Sequence, residues 1–344
     1  MSFGTFFALC FPIIVFTPIF FTSFVISEKH KSEPEILFPF LRYPILHAGK
    51  KVRSTLVLIA CQLLGGKIKN ALPLAAGLEI LHNYTLIIDD MIDNSPLRRG
   101  KPTVWVKYGN SIAQCAGLDY AASILQAANR SKNPEKVSAL FAKTLKIVTD
   151  GEILDILFEQ SGREEEPYIV KNRPKKITEK DYFKMVSEKT ASLFEACCEA
   201  GGMAASGSKK ELAALKNYGH DMGIAFQVQD DILDIFGEPD IFGKRIGQDI
   251  IERKRGNIVI LYALKQLSTR EKNLFLSVLK KRRITNKDIK KVIKLIKKTN
   301  AVENSYQYGK KYIDKAKKNL KKLPKNKWNK VLDQFADFVI ERQG

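Results

Sequence analysis

Two copies of the pattern D-D-x-x-D, each preceded by an apolar run, are the residues in this sequence best suited to chemistry. The first copy begins at Asp89 and ends at Asp93, and the second begins at Asp230 and ends at Asp234. Because residues four apart share a helical face, the outer aspartates of each copy would lie side by side on a helix. Such carboxylates repel each other and are costly to remove from water, so a bound cation would stabilise them.

Magnesium is the cation that best suits this pattern. It binds to one or two carboxylates, keeps several waters and completes its coordination with the phosphate oxygens of a substrate. A single D-D-x-x-D is most simply an exposed acidic turn of helix, but two copies in apolar surroundings favour a metal site. Two such carboxylate surfaces would hold metal ions between them and trap a diphosphate. The predicted metal ligands are Asp89, Asp90, Asp93, Asp230, Asp231 and Asp234.

Basic residues bracket both copies. Lys50 and Arg53 come before the first copy, and Arg98 and Arg99 follow it in a loop that contains Gly100. Each of them alone would be an ordinary surface charge. Two adjacent arginines beside a metal site are better explained as a diphosphate clamp, because a guanidinium group binds phosphate oxygens through two parallel hydrogen bonds.

The elements that must position these residues are predicted to be helices. Apolar residues recur every three or four positions through 54–64, 74–89, 111–128, 135–159, 179–205, 209–236, 257–267 and 286–298. Glycine, proline and polar residues separate these stretches, and the alternation typical of strands is nearly absent. Thr178 followed by Asp181 resembles a capping box, with Asp in place of the usual Glu. We expect one all-α domain over 28–344, preceded by an apolar segment over 1–27.

The net charge restricts the class of partner without choosing one. Lys and Arg number 57 against 37 Asp and Glu, a formal charge of +20 that suits nucleic acid, membrane surfaces or phosphorylated small molecules. We predict no nucleic-acid partner, because the basic residues lack interleaved aromatics and a recognised reader motif. The late lysines, which alternate with apolar residues at helical spacing, have two interpretations: a solvated face of amphipathic helices, or loose attraction to anionic lipid.

The N-terminal segment leaves three interpretations open. Residues 1–27 carry no charged side chain and are long enough to cross a bilayer, since roughly 20 apolar residues suffice. They are a membrane anchor, an apolar helix docked on the body, or an artefact of the start site; the basic region that opens a signal peptide is absent. The 5 cysteines form no C-x-x-C pair, which indicates neither a disulfide framework nor a zinc site. We expect a cytoplasmic protein, with membrane association through 1–27 as an alternative.

These residues together resemble the trans-type isoprenyl diphosphate synthases, and most closely the archaeal-type geranylgeranyl and farnesyl diphosphate synthases. The matching segments follow the family's order: HAGKKVR (47–53), LHNYTLIIDDMIDNSPLRRGKPT (81–103), EKTASLF (188–194), GIAFQVQDDILDIFG (223–237) and GKRIGQDIIERKRGN (243–257). Two residues separate the aspartates of the first copy, as in archaeal-type geranylgeranyl enzymes, whereas bacterial short-chain enzymes often have four.

The resemblance implies a fold, a reaction and an assembly. The fold is the isoprenoid synthase bundle of helices around a deep central cavity, usually in a homodimer. The reaction joins isopentenyl diphosphate to dimethylallyl, geranyl or farnesyl diphosphate with two or three Mg²⁺ ions per active site, and the expected product is geranylgeranyl diphosphate. Farnesyl or longer polyprenyl products are the alternative. The fully aspartate second copy disfavours a terpene cyclase, and the retention of all aspartates disfavours a non-catalytic subunit of a heteromeric synthase.

The resemblance also assigns roles to individual residues. The expected catalytic residues are Asp89, Asp90, Asp93, Lys189, Thr190 and Asp230. The residues expected to bind the allylic diphosphate are Arg98, Lys189, Lys254 and the nearby Gln227, and Lys244 is also expected in the substrate site. The residues expected to bind isopentenyl diphosphate are Lys50, Arg53, His82 and Arg99. Thr190 would lie beside the reacting carbons. Outside this motif, His82 would be read as a buried core residue.

Two positions are expected to influence product length, and five others differ from the family's usual residues. Tyr84, five residues before the first aspartate, is followed by Thr85, as in archaeal enzymes that stop at geranylgeranyl. The alternative is that Tyr84 is an ordinary core residue whose hydroxyl finds a neighbour. Departures from the family's usual residues occur at Ala48, Lys51, Ser54, Glu152 (where Gln is general, near Asp155) and Gly256. None of them removes a predicted metal ligand.

Overall fold

The computed structural model describes residues 39–47, 49–237 and 246–342, and this part of the chain is almost entirely helical. The helices are α1 (Pro39–Leu46), α2 (Val52–Leu63), α3 (Ile68–Ile92), α4 (Val104–Tyr108), α5 (Asn110–Asn129), α6 (Pro134–Leu157), α7 (Pro167–Asn172), α8 (Glu179–Val186), α9 (Ser192–Ala204), α10 (Lys209–Phe236), α11 (Gln248–Ile251), α12 (Ile258–Gln266), α13 (Thr269–Leu279), α14 (Asn286–Ile296), α15 (Ala301–Leu320) and α16 (Lys327–Glu341). Two short strands, β1 (Leu97–Arg98) and β2 (Lys101–Pro102), pair in the described residues. The all-α expectation is confirmed. Ala48, Lys244 and the segment 1–27 lie outside the described residues.

The chain forms two compact units, each assembled from separate stretches of sequence. Of the described residues, the first unit takes those up to Lys146 together with Leu193–His220 and Ala316–Phe338. The second unit takes Ile147–Ser192, Asp221–Lys315 and the described residues after Phe338. The predicted division into a segment over 1–27 and a domain over 28–344 stays a prediction.

The first unit is built around α3, which packs mainly against α5 and α2. Glycine permits close approach at its centre, since a Cβ at Gly77 would lie 2.3 Å from Cε2 of Phe141. Among the described helices, α3 alone has the length and hydropathy of a membrane span. Its apolar window is 67% buried within the protein, and the core helix of a globular protein passes the same test, so α3 is weak support for a membrane span.

The second unit has a continuous apolar core. Its fully buried members include Tyr182 of α8, Val228 of α10, Val259 of α12 and Phe275 of α13. At the start of α8 the predicted capping box is confirmed, because the Asp181 N–H donates to Thr178 Oγ1 at 3.2 Å and the Thr178 N–H donates to Asp181 Oδ2 at 2.8 Å. These bonds satisfy two backbone donors that a helix N-terminus leaves without partners, and so fix where α8 begins.

Candidate active site

The first aspartate copy lies at the C-terminal end of α3, where two of its carboxylates hold one arginine. Arg98 Nε donates to Asp90 Oδ1 at 2.7 Å, and Arg98 Nη2 donates to Asp89 Oδ2 at 2.7 Å. Burial raises the pKa of Asp90 to about 7, against the guanidinium group of Arg98, which lowers it. The two carboxylates therefore converge on a position that already holds a positive charge. Asp93 caps the end of the helix through its backbone N–H, which donates to the carbonyl of Asp89.

A tight hairpin positions Arg98. Strands β1 and β2 pair antiparallel, with Arg98 opposite Lys101, and only Arg99 and Gly100 connect them. Both connecting residues have positive φ, +55° and +72°, which is the backbone of the two-residue hairpin turn that favours glycine at its second position. Beyond the hairpin, Thr103 Oγ1 donates to the carbonyl of Ser95 at 2.9 Å. The loop predicted after the first aspartate copy therefore contains a paired hairpin that positions both arginines.

Basic residues of the first unit surround a neutral histidine. Arg53 Nη1 donates to His82 Nε2 at 3.0 Å, and its guanidinium carbon lies 5.0 Å from the centre of the Phe194 ring. Burial lowers the pKa of His82 well below its usual range, and the charges of Arg53, Arg99 and Arg98 lower it further. Arginine has no acceptor, so His82 Nε2 accepts and the proton of the neutral ring lies on Nδ1. The structure thus brings together three of the four residues expected to bind isopentenyl diphosphate.

In the segment before α2, Gly49 lies against Arg99, and the two lysines that follow it have different surroundings. Arg99 Nη1 donates to the carbonyl of His47 at 3.1 Å, and a Cβ at Gly49 would lie 2.7 Å from the Arg99 guanidinium carbon. Lys50 is exposed. Lys51 is buried instead: its Nζ lies 3.8 Å from Glu79 Oε1. Lys51 therefore forms an ion pair with Glu79 inside the first unit, whereas the missing side chain of Gly49 leaves room for Arg99.

In the second unit, Lys189 and Thr190 lie in a π-helical turn. This turn spans Ser187–Ala191 and joins α8 to α9, inside the stretch predicted as one helix over 179–205. Turns of this kind are frequent at functional sites. Gly151 of α6 lets it approach, because a Cβ there would lie 2.2 Å from the backbone nitrogen of Lys189. Thr190 Oγ1 donates to Gln227 Oε1 at 2.8 Å.

Lys189 and Lys254 share one buried carboxylate that the sequence analysis did not select. Lys189 Nζ donates to Asp155 Oδ2 at 2.7 Å, and Lys254 Nζ lies 3.0 Å from the same oxygen. The available signal was an aspartate flanked on both sides by apolar residues of α6, where an unpaired charge would be costly.

The aspartates of the second copy differ in their burial and in the protein groups that hydrogen-bond to them. Asp231 is buried and accepts from Tyr182 Oη at 2.8 Å and from the backbone N–H of Ile258 at 2.8 Å. Burial raises its pKa well above the usual range, as does the nearby Asp249. Asp234 accepts from backbone N–H groups at the start of α11. The metal roles of Asp231 and Asp234 stay predictions.

Asp230 is the most exposed of the three and pairs with an arginine. Arg342 Nη2 donates to Asp230 Oδ1 at 2.6 Å and to the carbonyl of Phe226 at 3.0 Å. The guanidinium carbon of Arg342 lies 4.0 Å from the centre of the Phe226 ring. Asp230 thus pairs with an arginine, as Asp89 and Asp90 do, and both aspartate copies bind a positively charged group.

These carboxylates fit magnesium bound together with a substrate. In the described part of the chain, no group of three or more His, Cys, Asp or Glu side chains is arranged as a complete metal site. Magnesium does not require one, because it takes one or two carboxylates and fills its remaining positions with water and phosphate oxygens. Asp89 and Asp90, which already converge on one cationic group, would supply such a pair.

Tyr84 and Thr85 lie on α3, one turn before the aspartates. A Cβ at Gly117 of α5 would lie 3.4 Å from Cε2 of Tyr84, so the tyrosine ring packs beside this glycine. Thr85 Oγ1 donates to the carbonyl of His82 at 2.9 Å. The predicted roles of both residues in product length stay predictions.

Comparison with known proteins identifies the family. The sequence profile described as Polyprenyl synthetase matches residues 34–296. A short chain isoprenyl diphosphate synthase of Methanothermobacter thermautotrophicus is 31% identical over 313 residues, covering 90% of this chain and 91% of the relative. A geranylgeranyl diphosphate synthase of Saccharolobus solfataricus is 34% identical over 303 residues, covering 86% and 87%.

Solved structures agree with this assignment. A polyprenyl synthase of Caulobacter crescentus, complexed with calcium and isoprenyl diphosphate, has a TM-score of 0.87 and 26% identity, covering 100% of this chain and 98% of that one. A geranylgeranyl pyrophosphate synthetase of Pyrococcus horikoshii has a TM-score of 0.86 and 27% identity, covering 99% and 100%. The predicted isoprenoid synthase fold is thereby confirmed, while its central cavity stays a prediction. The chain belongs to the polyprenyl synthetase family.

Proposed function

We propose that this protein is a magnesium-dependent prenyltransferase that joins isopentenyl diphosphate to allylic diphosphates and makes geranylgeranyl diphosphate. The observation that carries the proposal is the pairing of Asp89 and Asp90 with one cationic group beside the basic cluster of Arg53, His82 and Arg99. Carboxylates that favour a cation and basic groups that favour an anion suit a metal–diphosphate substrate. Relatives named as geranylgeranyl diphosphate synthases support the product.

The residues divide the work of binding two diphosphates. Arg53 and Arg99 would bind isopentenyl diphosphate, and the neutral His82 would contribute a hydrogen bond without adding charge. Lys189 and Lys254 would bind the allylic diphosphate. Bound magnesium would neutralise charge on the diphosphate oxygens as the carbon–oxygen bond breaks.

Positioning then accounts for most of the catalysis. The basic residues hold the departing diphosphate, and its charge is stabilised as it develops. Thr190, fixed by Gln227, would lie beside the allylic carbon. The double bond of isopentenyl diphosphate attacks the allylic cation, and the released diphosphate takes the remaining proton, so the side chains need only orient the reactants and exclude water.

Product length is proposed to depend on Tyr84. Its ring and the backbone of Gly117 come close together between α3 and α5 of the first unit. A growing chain that follows α3 away from Asp89 would meet this ring after five residues, which is about 7.5 Å along the helix. Farnesyl or longer products are the alternative outcomes.

A homodimer is proposed through the exposed face of α5. Cys115, Leu118, Ala122 and Leu125 are all exposed and recur at intervals of three, four and three residues. That spacing produces a continuous apolar seam along a helix, and a second copy of the same helix would cover it. Leu118 is 73% exposed, which an isolated chain would leave in contact with water.

Location and membrane attachment are proposed on the basis of charge. We propose a cytoplasmic protein that associates loosely with anionic lipid. The support is the row of exposed lysines on α14, namely Lys287, Lys290, Lys291 and Lys294. Each basic residue near an anionic surface contributes about 1 kcal/mol to binding.

The proposed reaction is tested with purified protein, labelled isopentenyl diphosphate and each of the three allylic primers, with magnesium or with a chelator. We expect products that end at twenty carbons with magnesium and none with chelator. Products that end earlier or continue further would identify the farnesyl or polyprenyl alternative. Absence of product with every primer would refute the prenyltransferase.

A further inference from the structure

Two lysines of the second unit are held by one oxygen atom. Lys189 Nζ and Lys254 Nζ lie 2.7 Å and 3.0 Å from Oδ2 of Asp155. Lys189 comes from the π-helical turn, Lys254 follows α11, and Asp155 belongs to α6, so three separate elements meet here. Two ammonium groups repel each other, and the shared carboxylate offsets that repulsion.

Each lysine also contacts a second carboxylate that is more exposed. Lys189 Nζ lies 2.7 Å from Glu152 Oε2, and Lys254 Nζ lies 3.0 Å from Glu252 Oε2. The side chain of Asp155 is 7% exposed, against 16% for Glu152 and 13% for Glu252. Asp155 is therefore the inner partner of both lysines, and the glutamates are the outer ones.

The inner and outer carboxylates differ in what their loss would do. If Asp155 lost its charge, the carboxylate shared by the two ammonium groups would be gone, while each lysine would still contact its own glutamate. If Glu152 lost its charge, Lys189 would keep Asp155 and stay beside Lys254. A diphosphate carries oxygens on two phosphorus atoms, so it binds best to two cations that are already close together.

We propose that Asp155 is a positioning residue that holds Lys189 and Lys254 side by side for a diphosphate, and that Glu152 competes with the diphosphate for Lys189. The inference rests on the proposed function, because it deepens the role given there to the two lysines. It assigns opposite effects to two carboxylates that contact the same ammonium group.

The test measures binding of inorganic diphosphate with magnesium by calorimetry, and the KM values for both substrates, in three variants. Glu152→Gln is expected to lower the Kd for diphosphate and the allylic KM about three- to tenfold. Asp155→Asn is expected to raise both about tenfold or more. Glu303→Gln removes the same charge from an exposed site on α15 and should change neither. The KM for isopentenyl diphosphate should move less than about twofold in all three.

A general loss of structure would not produce a tighter-binding variant. Movement of the Kd in the same direction in Glu152→Gln and Asp155→Asn would overturn the proposal, and so would an unchanged Kd in Glu152→Gln. If Asp155→Asn does not fold, as judged by thermal unfolding, the Glu152→Gln result alone decides. Diphosphate binding that shifts as expected without any prenyl product would support the inference and reject the proposed function. Product formation with unshifted diphosphate binding would support the proposed function and reject the inference.

Discussion

Replacement of Gly151 by alanine should separate the π-helical turn from α6 and impair catalysis. The added Cβ would lie 2.2 Å from the backbone nitrogen of Lys189 and 2.6 Å from its Cα. Ordinary van der Waals contact begins at 3.4 Å, so the two elements must separate by more than about 1 Å. Both neighbours are backbone atoms, so no side chain can rotate away to relieve the contact.

The size of the effect follows from this displacement. Overpacking of this kind lowers the free energy of unfolding by roughly 1–3 kcal/mol. A shift of about 1 Å in a residue that positions substrate lowers kcat/KM roughly 100-fold. Urea unfolding would measure the first quantity, and steady-state kinetics with the allylic substrate varied would measure the second.

Gly201 provides a matched control. A Cβ at Gly201 would lie 2.3 Å from the backbone oxygen of Val57, so the steric conflict is of similar severity. Its nearest neighbours are Val57, Ala60 and Cys61, none of which is a predicted site residue. Gly201→Ala should lose similar stability and keep kcat/KM within a few fold. Equal losses of kcat/KM in both variants, or none in Gly151→Ala, would refute the reasoning.

Four further predictions concern other residues. Asp89→Ala should lower turnover by orders of magnitude, because it removes one of the two carboxylates expected to bind magnesium, and thermal stability should stay unchanged. Activity that survives a chelator would contradict the metal role. Tyr84→Ala should lengthen the products seen by chromatography, and an unchanged product distribution in an active variant would remove Tyr84 as the stop. Leu118→Glu should convert a dimer to a monomer in size-exclusion chromatography, because it places charges opposite each other in the seam; a dimer of unchanged stability would reject α5 as the interface. Although burial raises the pKa of Asp155, the ammonium groups of Lys189 and Lys254 lower it to about 2, so its contribution to stability is present above pH of about 4 and is lost as the pH falls towards 2. Urea unfolding should therefore show a weaker acid dependence in Asp155→Asn, and identical acid profiles would count against that ion pairing.

The sequence predicted the features that depend on neighbours along the chain. Helical periodicity depends only on local spacing, which is why most predicted stretches coincide with helices to within a few residues. The capping box at Thr178 and Asp181 was found for the same reason, since its two partners are three residues apart. The aspartate copies stood out because each lies in an apolar helix.

Features that depend on distant partners could not be read from the sequence. Lys51 follows Lys50 in the sequence and differs from it only in its distant contacts, because packing buries Lys51 beside Glu79 of α3. Asp155 gained its importance from Lys254, which lies nearly a hundred positions further along the chain, and no local pattern connects them. The π-helical turn was missed because one additional residue in a helical repeat barely changes the apolar spacing.

The π-helical turn at Ser187–Ala191 has a consequence for how such a site arises in evolution. A π turn is equivalent to one residue inserted into a continuous α-helix, and each residue of an α-helix rotates the following side chains by about 100°. Loss of a single codon here would join α8 and α9 into one regular helix and turn Lys189 and Thr190 relative to Gln227. The arrangement is therefore one deletion away from a plain helix, while no substitution within the turn reproduces that change. Comparative surveys of descendants that have lost activity should look for gaps at this position as well as for replaced aspartates.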